Sequence, residues 1–508
     1  MASNFVLGYF DMNSKQSVLA VAVAALLSLT LTSCSGVKTP CTVNCGGGGG
    51  GNSSLSVTLA VAPLTPPPGT SILSFVASIN SVSLTPSGGG SVVNIPLNNS
   101  PIILDLTRVT SDSAYLGQYI NSVPAGTYTA VQVNINNPVV TYCAATSGTP
   151  GCNTGSIAQF TGASGTPSTS NFSITLAANQ QAGLRLVVNF NNILTVNSNT
   201  QAVTALNLGA ANVLSTVTLP PAFSTLSTGQ LDYIEDVTGV VQAASASSVT
   251  ILTATRGSVT STINGSTIFS PDCLITNVTN QACAPAVGQV ASVDATLNTD
   301  GTSTMLEYDP LTFSSVDLIE GIVTTSPTSS TQFQLVANDY VPASSNSVIS
   351  GLHFGDTVNV TLTSMQNLLP FVIDSKGLPI VITSFDGSTS ATDILPGQTV
   401  MVRVKSFTAK SGNTPASATV DAVALRFSRV PGNVSAPPSP NFSLQSLPPF
   451  FGQTATNQVQ LGTGSPNTYL DGYSSTGAMT VNDNVSIRAL YFGLNYTPSF
   501  TAAKVRRN

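Results

Sequence analysis

Residues that could perform chemistry are scarce in this chain of 508 residues, which contains one histidine and no tryptophan. His353 stands close to Asp356 in the segment GLHFGDTV, and this spacing predicts a surface histidine instead of half of a catalytic pair. The sequence contains no GxSxG elbow, HExxH helix, Walker loop or EF-hand loop. We therefore predict that the protein is not an enzyme and that it uses no cofactor or metal.

Two groups of carboxylates are the remaining candidates for catalysis. Asp232, Glu235 and Asp236 precede one apolar segment, and Asp317 and Glu320 occupy the matching place before another. Paired carboxylates can serve as the acid and base of a glycosidase, and carboxylate oxygens can bind calcium. The simpler interpretation, which we favour, is solvated charge at domain junctions. A weak hydrolase that uses these carboxylates is the alternative.

Three further features have both a functional and a structural interpretation. The apolar loop LPPFFG, residues 447–452, is either a partner contact on the surface or ordinary packing. The segment NTDGTS, residues 298–303, has some character of a calcium loop, but its Asp-Gly pair is typical of a hairpin turn. Tyrosines could stack on sugars, although packing is their commoner use. The tyrosines considered are Tyr233, Tyr308, Tyr340 and Tyr473.

The seven cysteines indicate an oxidising compartment. Without Cys34, the other six form three local pairs, which in an exported chain predict disulfides. The predicted pairs are Cys41 with Cys45, Cys143 with Cys152, and Cys273 with Cys283. A zinc site is disfavoured because the chain has a single histidine and no paired CxxC spacing.

The N-terminal residues predict export. Lys15 precedes an apolar run over residues 18–31, too short for a stable transmembrane helix, and small residues then lead to Cys34. The tetrapeptide LTSC resembles the lipobox of bacterial lipoproteins, and this resemblance implies that Cys34 is lipidated. We predict a signal peptide over residues 1–33, followed by the lipidated cysteine and a Gly-rich tether over residues 34–54. Ser35 stands where a retention signal for the inner membrane would be aspartate, so we expect sorting to the outer membrane.

Composition predicts an all-β protein. Charged residues make up 7% of the chain, against about 25% in ordinary soluble domains, so the usual formers of exposed helices are scarce. Val, Ile, Thr, Tyr and Phe alternate with polar residues, as in strands. The net charge of −6 and the lack of a basic patch argue against nucleic-acid binding. We interpret Lys504, Arg506 and Arg507 as a solvated C-terminal end.

Residues 55–219 predict an antiparallel β-sandwich, because alternating segments are separated by Pro- and Gly-rich turns. One short helix is expected over residues 111–119, SDSAYLGQY. The string VPAGTYTAVQVNI, residues 123–135, resembles the hallmark of domain of unknown function 4382, and the segments LSVTLAV, IILDLT and AGLRLVVNF follow the order of that family. The chain departs from that family at Ala62, where the family usually has Asp. The resemblance implies a fold and an envelope setting, but no activity.

The rest of the chain consists of three loosely similar units, over residues 231–311, 312–430 and 431–508. Each unit has a Gly-Val entry, a hydrophobic strand, a polar turn ahead of an alternating strand, and a final strand. The units resemble domain of unknown function 5666, which implies small β-barrel-like repeats. The second unit is enlarged around FGDTVNVTLTS.

These features together predict a lipid-anchored protein of the bacterial cell envelope, on the periplasmic or the cell-surface face of the outer membrane. We expect a non-catalytic binding or scaffold module that contacts the membrane through its anchor and has a protein or polysaccharide ligand. Two alternatives are an accessory or weak hydrolytic enzyme that acts on glycans and a purely structural envelope spacer.

Overall fold

The structure is a computed structural model that describes residues 51–64, 69–146, 148–270, 273–276, 284–439, 441–452 and 457–508. The predicted signal peptide, Cys34, the Cys41/Cys45 pair and Cys283 lie outside the described residues. Within them, helix is confined to single short turns, and no helix is long and apolar enough to cross a membrane. These turns are the α-helix α1 (Phe190–Ile193) and the 3-10 helices Leu106–Val109, Ala391–Asp393, Pro449–Phe451 and Thr476–Ala478. The predicted all-β class is confirmed.

The N-terminal part of the described chain contains twelve strands, ten of which form the two sheets of a β-sandwich. Its strands are β1 (Asn52–Ala62), β2 (Thr70–Pro86), β3 (Val93–Ile95), β4 (Ile102–Asp105), β5 (Ala114–Pro124), β6 (Gly126–Ala144), β7 (Ala158–Thr161), β8 (Ile174–Leu176), β9 (Gln181–Asn189), β10 (Leu194–Val196), β11 (Val203–Leu206) and β12 (Leu214–Leu219).

Two sheets enclose the core of the sandwich. One sheet has the order β12-β9-β1-β5, and the other has the order β3-β2-β6-β7, with β4 beside β2 and β8 beside β6. Strands β10 and β11 form a separate hairpin. The pairing of β1 with β9 is parallel, whereas the other pairings in these sheets are antiparallel. Alternate residues of the long strands, such as Leu55, Val57 and Leu59 of β1, are buried between the sheets.

The helix predicted over residues 111–119 is wrong. Strand β5 begins at Ala114 and pairs with β1. Side chains of Ala114 and Leu116 are buried, as the two-residue period of a strand requires. A Cβ at Gly117 would lie 2.1 Å from the carbonyl oxygen of Pro96, so the crowding of this edge explains a glycine inside a strand.

Three further sheets follow, and each contains six consecutive strands. The first repeat consists of β13 (Gln230–Ala244), β14 (Ser248–Leu252), β15 (Ser258–Thr262), β16 (Ile268–Phe269), β17 (Val290–Asn298) and β18 (Ser303–Thr312). The second repeat consists of β19 (Leu318–Val323), β20 (Gln332–Val341), β21 (Thr357–Leu362), β22 (Val372–Ile373), β23 (Thr399–Thr408) and β24 (Ala416–Arg426). The third repeat consists of β25 (Ser428–Ala436), β26 (Phe442–Gln445), β27 (Asn457–Leu461), β28 (Tyr469–Asp471), β29 (Asn484–Tyr491) and β30 (Phe500–Arg507).

The three repeats share one topology. Their strand orders are β15-β14-β13-β17-β18-β16, β21-β20-β19-β23-β24-β22 and β27-β26-β25-β29-β30-β28. In each repeat the third strand also pairs in parallel with the last strand, which closes five strands into a small barrel. The predicted barrel-like repeats are therefore confirmed.

The same turn precedes the fifth strand of each repeat. Residues Gly288, Gly397 and Asn482 have φ values of 88°, 90° and 70°, a region that favours glycine and asparagine. The next residue accepts a hydrogen bond from the backbone N–H three positions earlier. These acceptors are Gln289 (2.9 Å), Gln398 (2.8 Å) and Asp483 (2.8 Å). The polar turn noticed in the sequence is thus a recurrent structural element.

The first strand of each repeat carries a glycine where it crosses the second strand. A Cβ at Gly239 would lie 2.2 Å from the carbonyl oxygen of Leu252, and one at Gly321 would lie 2.4 Å from that of Val336. The equivalent Gly432 is less crowded, with the carbonyl oxygen of Gln445 at 3.1 Å. This close approach of two backbones explains the Gly-Val entry in each unit.

The described residues, from Gly51 to Asn508, form one compact unit. Hydrophobic side chains of different sheets share cores. Leu73 of the sandwich and Val336 of the second repeat, for example, belong to the same buried cluster as Phe442 of the third repeat. The sandwich and the three repeats therefore pack as one body and are not separate domains on a string.

Candidate functional site: a buried ionic network and a polar cleft

Most of the charged side chains that the structure describes are buried, although charged residues make up only 7% of the sequence. An ordinary soluble protein shows the opposite distribution, with charges on its surface. Here the charges converge where the sandwich meets the three repeats, and we call this cluster the ionic network.

Asp236 is the centre of the ionic network. Its carboxylate lies 2.5 Å from Arg429 Nη2, 2.7 Å from Arg426 Nη2 and 3.0 Å from Arg108 Nη2, with Arg488 Nη2 at 3.6 Å. Arg108 belongs to the sandwich, Arg426 to the second repeat, and the other two arginines to the third repeat. One carboxylate of the first repeat thus joins all four parts of the structure.

Local backbone geometry directs Asp236 into this position. A β-bulge interrupts the pairing of β13 with β17 between Ile234 and Val237, and Asp236 has a φ of 59°. Its N–H donates to Asp294 Oδ1 (2.7 Å), and Ser292 Oγ donates to its carboxylate (2.9 Å). The bulge turns the side chain away from its own barrel and towards the arginines.

Electrostatics keep Asp236 ionised. Burial by itself would raise the pKa of this carboxyl group, because a charge loses its hydration there. The positive charges of Arg426, Arg429, Arg488 and Arg108 outweigh that effect and hold its pKa well below the ordinary value. Asp236 therefore acts as a permanent anion that compensates buried arginines.

Glu320 is a second anion of the network. Its carboxylate accepts a hydrogen bond from Arg108 and lies 3.3 Å from Arg426 Nε. Burial would raise its pKa, but Arg108, Arg426 and Arg429 lower it below the ordinary value. The carboxylates of both Asp236 and Glu320 thus form ion pairs with several arginines.

Matching positions of the first and third repeats carry charges of opposite sign. Val293 and Ile487 pair in the same register with the first strands of their own repeats. Asp294 comes directly after Val293 and Arg488 directly after Ile487, so the two charged residues occupy equivalent positions. Arg488 Nη1 lies 3.0 Å from Asp294 Oδ2. On the last strands, Asp309 and Arg506 also occupy equivalent places, each opposite a serine of the fifth strand. The equivalent acidic and basic faces make these two repeats electrostatically complementary.

Lys376 of the second repeat completes the acidic side of the network. Its Nζ lies 2.8 Å from Asp294 Oδ2 and 3.0 Å from Asp309 Oδ2. Glu307 is buried on the same strand as Asp309. Burial, together with the negative charge of Asp309, raises the pKa of Glu307 well above the ordinary value. Glu307 is thus a carboxyl group that the fold favours in its protonated form.

A smaller ionic cluster joins the sandwich to the first and third repeats. Arg185 lies 2.5 Å from Asp232 and 3.0 Å from Asp471, and Thr58 Oγ1 donates to Asp232 (2.7 Å). Arg506 Nε donates to Asp471 Oδ2 (2.8 Å). Each of these ionic groups is buried.

Two interpretations of charge made from the sequence are wrong. Asp232, Asp236, Asp317 and Glu320 are buried, and they are not solvated charges at junctions. Near the C-terminus, Lys504 and Arg506 are likewise buried because β30 pairs with other strands of the third barrel, whereas Arg507 is exposed as predicted, with 49% of its side chain accessible. The side chain of Glu235 lies outside the description.

Sequence reasoning missed the arginines that surround Asp236. A signal was present, since Arg488 and Arg426 each stand within an apolar strand, in NVSIRALY and DAVALRF. A charge in such a strand has to be paired when it is buried. In a chain this poor in charge, isolated acids and bases within apolar strands indicate one shared interior.

A polar cleft lies between the sandwich and the second repeat, with a volume of about 540 Å³. One wall is the segment that begins after Cys152, and the opposite wall is the turn between β23 and β24. The floor contains residues of the second repeat. The lining combines polar and apolar surface in similar amounts, and its side-chain amides and hydroxyls are those of Asn153, Gln159, Thr325, Gln334, Thr357 and Asn413.

One side-chain bridge crosses this cleft. Lys410 Nζ donates to Gln159 Oε1 (2.6 Å), and Gln159 Nε2 donates to the carbonyl oxygen of Gly355 (2.8 Å). Lys410 Nζ also lies 4.0 Å from Asp356 Oδ1. This bridge connects the sandwich with the second repeat across the cleft. The nearby carboxylate of Asp356 partly compensates the positive charge of Lys410.

The disulfide predicted between Cys143 and Cys152 is confirmed, and it fixes one wall of the cleft. Just after it, Asn153 N–H donates to the carbonyl oxygen of Ala144 (2.8 Å). The loop that it closes also contacts the repeats, since Cys152 N–H donates to the carbonyl oxygen of Thr324 (2.7 Å). Cys273 is also disulfide-bonded, whereas its predicted partner, Cys283, lies outside the described residues.

The apolar loop LPPFFG is not exposed. Phe450 and Phe451 are 1% and 3% exposed, and they line a small apolar cavity of about 80 Å³ below the sandwich. Phe450 N–H donates to Ser71 Oγ (3.1 Å). Of the two interpretations of this loop, ordinary packing is the correct one, because a 3-10 turn directs both rings into the interface between the sandwich and the third repeat.

The other residues that we considered occupy structural positions. His353 is a surface residue, with 80% of its side chain exposed and Nδ1 3.6 Å from Asp356. Residues 298–303 form the hairpin between β17 and β18, as expected. Among the tyrosines, Tyr233, Tyr308 and Tyr473 are buried, and Tyr340 packs on Phe354. The described part of the chain contains no group of three or more His, Cys, Asp or Glu residues arranged to hold a metal ion.

Comparison of the sequence with protein-family models finds no match. Comparison with curated proteins also finds none.

Proposed function

We propose that this chain is a lipid-anchored, non-catalytic binding or scaffold protein of the bacterial cell envelope, sorted to the outer membrane. The observation that carries the proposal is the placement of charge. The described chain uses most of its ionic groups to join the sandwich and the three repeats into one body, which leaves few charged side chains on its surface. Such a body suits recognition by preformed surfaces.

Two further features support this proposal. The Cys143–Cys152 disulfide suits an oxidising compartment outside the cytoplasm. The carboxylates considered for hydrolysis are unsuited to it, because Asp236 and Glu320 are buried, bound by arginines and held ionised. A general acid of a glycosidase needs a raised pKa and access to its substrate.

Lipidation at Cys34 is tested by metabolic labelling of the full chain with a clickable fatty acid in a bacterial host. We expect label and membrane fractionation for the wild type, and neither for Cys34→Ala, because the acyl chains provide the anchor. The matched control is Cys41→Ala, which removes a nearby cysteine and should keep both properties. Label that persists in Cys34→Ala, or a wild type without label, would contradict the anchor.

The non-catalytic role is tested with the purified full chain on glycan and ester substrates. We expect no turnover above the buffer rate. Turnover that disappears in Glu235→Ala and persists in Asp386→Ala would establish the hydrolase instead.

A further inference from the structure

We infer that the polar cleft between the sandwich and the second repeat binds a neutral oligosaccharide. This inference rests on the proposed binding function and names its ligand class and its site. The cleft volume of about 540 Å³ lies within the range of roughly 300–1,000 Å³ typical of ligand pockets.

The polar groups of the cleft suit the hydroxyl groups of a sugar. A sugar hydroxyl both donates and accepts, and side-chain amides and hydroxyls can do the same. The hydroxyls of Thr325 and Thr357 and the amide of Asn413 line the cleft and make no hydrogen bond within the described residues. These three groups are available to a ligand.

The charge of the cleft favours a neutral ligand. No carboxylate is among the residues that line it, and its one cationic side chain is Lys410. That ammonium group already contacts Gln159 and lies near Asp356. Because Asp356 partly compensates this charge, the cleft attracts an anionic ligand only weakly. The binding of a neutral polyol does not depend on that charge.

A peptide fits this cleft less well than a sugar does. Peptide recognition usually combines main-chain hydrogen bonds with apolar pockets for alternate side chains. The apolar side chains of the lining are Ile157, Ala158 and Pro415, beside two glycines. Hydroxyls and amides accompany this apolar surface, and the combination suits a sugar ring, which presents both C–H groups and hydroxyl groups.

The cleft is also preformed. The disulfide of Cys152 fixes one wall, and a tight hairpin with a bridge between Ser411 and Thr414 forms the other. The hydrogen bond from Lys410 to Gln159 links the two walls. A preformed site loses little conformational entropy on binding, which matters for sugars because their individual contacts are weak.

The test uses the full chain purified in detergent and a set of short neutral oligosaccharides, namely α-1,4-glucan, β-1,3-glucan, β-1,4-glucan, mannan and chitin oligomers. Isothermal calorimetry compares the wild type with the double variant Thr357→Val, Asn413→Ala, which removes two available hydrogen-bonding groups and no bond within the protein. Gln132→Ala, an exposed amide on β6 outside the cleft, is the matched control. Circular dichroism checks that each variant is folded.

We expect saturable binding of at least one of these oligosaccharides. Its affinity should fall about twenty-five-fold in the double variant, at about fivefold for each lost hydrogen bond, and stay unchanged in Gln132→Ala. Absence of binding by all the oligosaccharides overturns the inference. Binding of a sugar that the double variant leaves unchanged overturns the site but supports the proposed function.

Discussion

Asp236 is the residue on which most of the buried charge depends. It has a left-handed backbone, it is buried, and its carboxylate contacts four arginines from three different parts of the chain. Removing one partner from a buried ionic group leaves the other charges uncompensated. That penalty usually exceeds the net stability that the intact pair provides.

We predict that Asp236→Asn lowers the free energy of unfolding by about 3–5 kcal/mol. Asparagine keeps the size of the side chain and tolerates a positive φ, so the change isolates the loss of charge. Urea unfolding followed by circular dichroism measures the effect. The matched control is Asp386→Asn, an exposed aspartate that should change stability by less than about 0.5 kcal/mol. Equal stabilities of the two variants would contradict the central role of Asp236.

Glu307 should make the protein less stable as pH rises. Its pKa in the folded state is raised, first by burial and then by Asp309 and Asp294, although Lys376 and Arg488 oppose the shift. The folded state therefore binds a proton that the unfolded state releases near its ordinary pKa of 4.5. Stability from this group is complete below that pH and is lost as pH rises through the folded pKa.

We predict that Glu307→Gln is more stable than the wild type at neutral and alkaline pH and similar to it at acidic pH. Each unit of difference between the two pKa values corresponds to about 1.4 kcal/mol. Urea unfolding at a series of pH values measures both curves, and Asp386→Asn, at an exposed position, is the control. A Glu307→Gln variant that is less stable than the wild type at alkaline pH would show that the charged form is favoured.

At the scale of elements, the glycine within the first strand of each repeat is crowded by the neighbouring strand to a different degree in the three repeats. The carbonyl oxygen across the strand lies 2.2 Å from a Cβ built at Gly239, 2.4 Å at Gly321 and 3.1 Å at Gly432. In the first two repeats the obstacle is backbone that cannot move without disturbing the sheet, whereas Gly432 mainly meets the end of the Leu447 side chain.

We predict that Gly239→Ala and Gly321→Ala each destabilise the protein by about 2 kcal/mol or more, and that Gly432→Ala costs about 1 kcal/mol. Gly265→Ala is the control, because nothing lies within 4 Å of its Cβ. Thermal unfolding of the four variants gives the order. A Gly432→Ala that is the least stable of the four would show that the backbone crossing does not limit these strands.

At the scale of the whole molecule, the shared interior predicts a single unfolding transition. Unfolding any one repeat would expose or orphan charges of its neighbours, since Asp236 alone links the sandwich and all three repeats. We expect that circular dichroism and tyrosine fluorescence report the same urea midpoint. Two separated transitions would show that the sandwich and the repeats unfold independently.

The general architecture was predictable from the sequence because it depends on local patterns. Alternation of apolar residues indicated strands, and the recurrent Gly-Val entries and polar turns marked the repeats. The helix expected over residues 111–119 failed because pairing of β5 with β1 overrides local preference.

The candidate site was much less predictable than the fold. The partners of Asp236 are distant in sequence, from Arg108 to Arg488, and no local pattern joins them. The polar cleft is formed by Asn153 and Asn413, which come together only after the sandwich has packed against the second repeat. The sequence did contain one signal of the buried network, namely isolated charges within apolar strands. We interpreted some of these charges, such as Asp236 and Arg506, as solvated.

The opposite signs at matching positions of the first and third repeats bear on how such a chain could arise and be rearranged. Identical copies that carried a charge at this position would place like charges against each other, so this interior depends on the difference in sign between the copies. For the same reason the copies are no longer interchangeable. A chimera in which a second copy of residues 428–507 replaces residues 230–312 would bring Arg488 against its own duplicate, where Asp294 now stands.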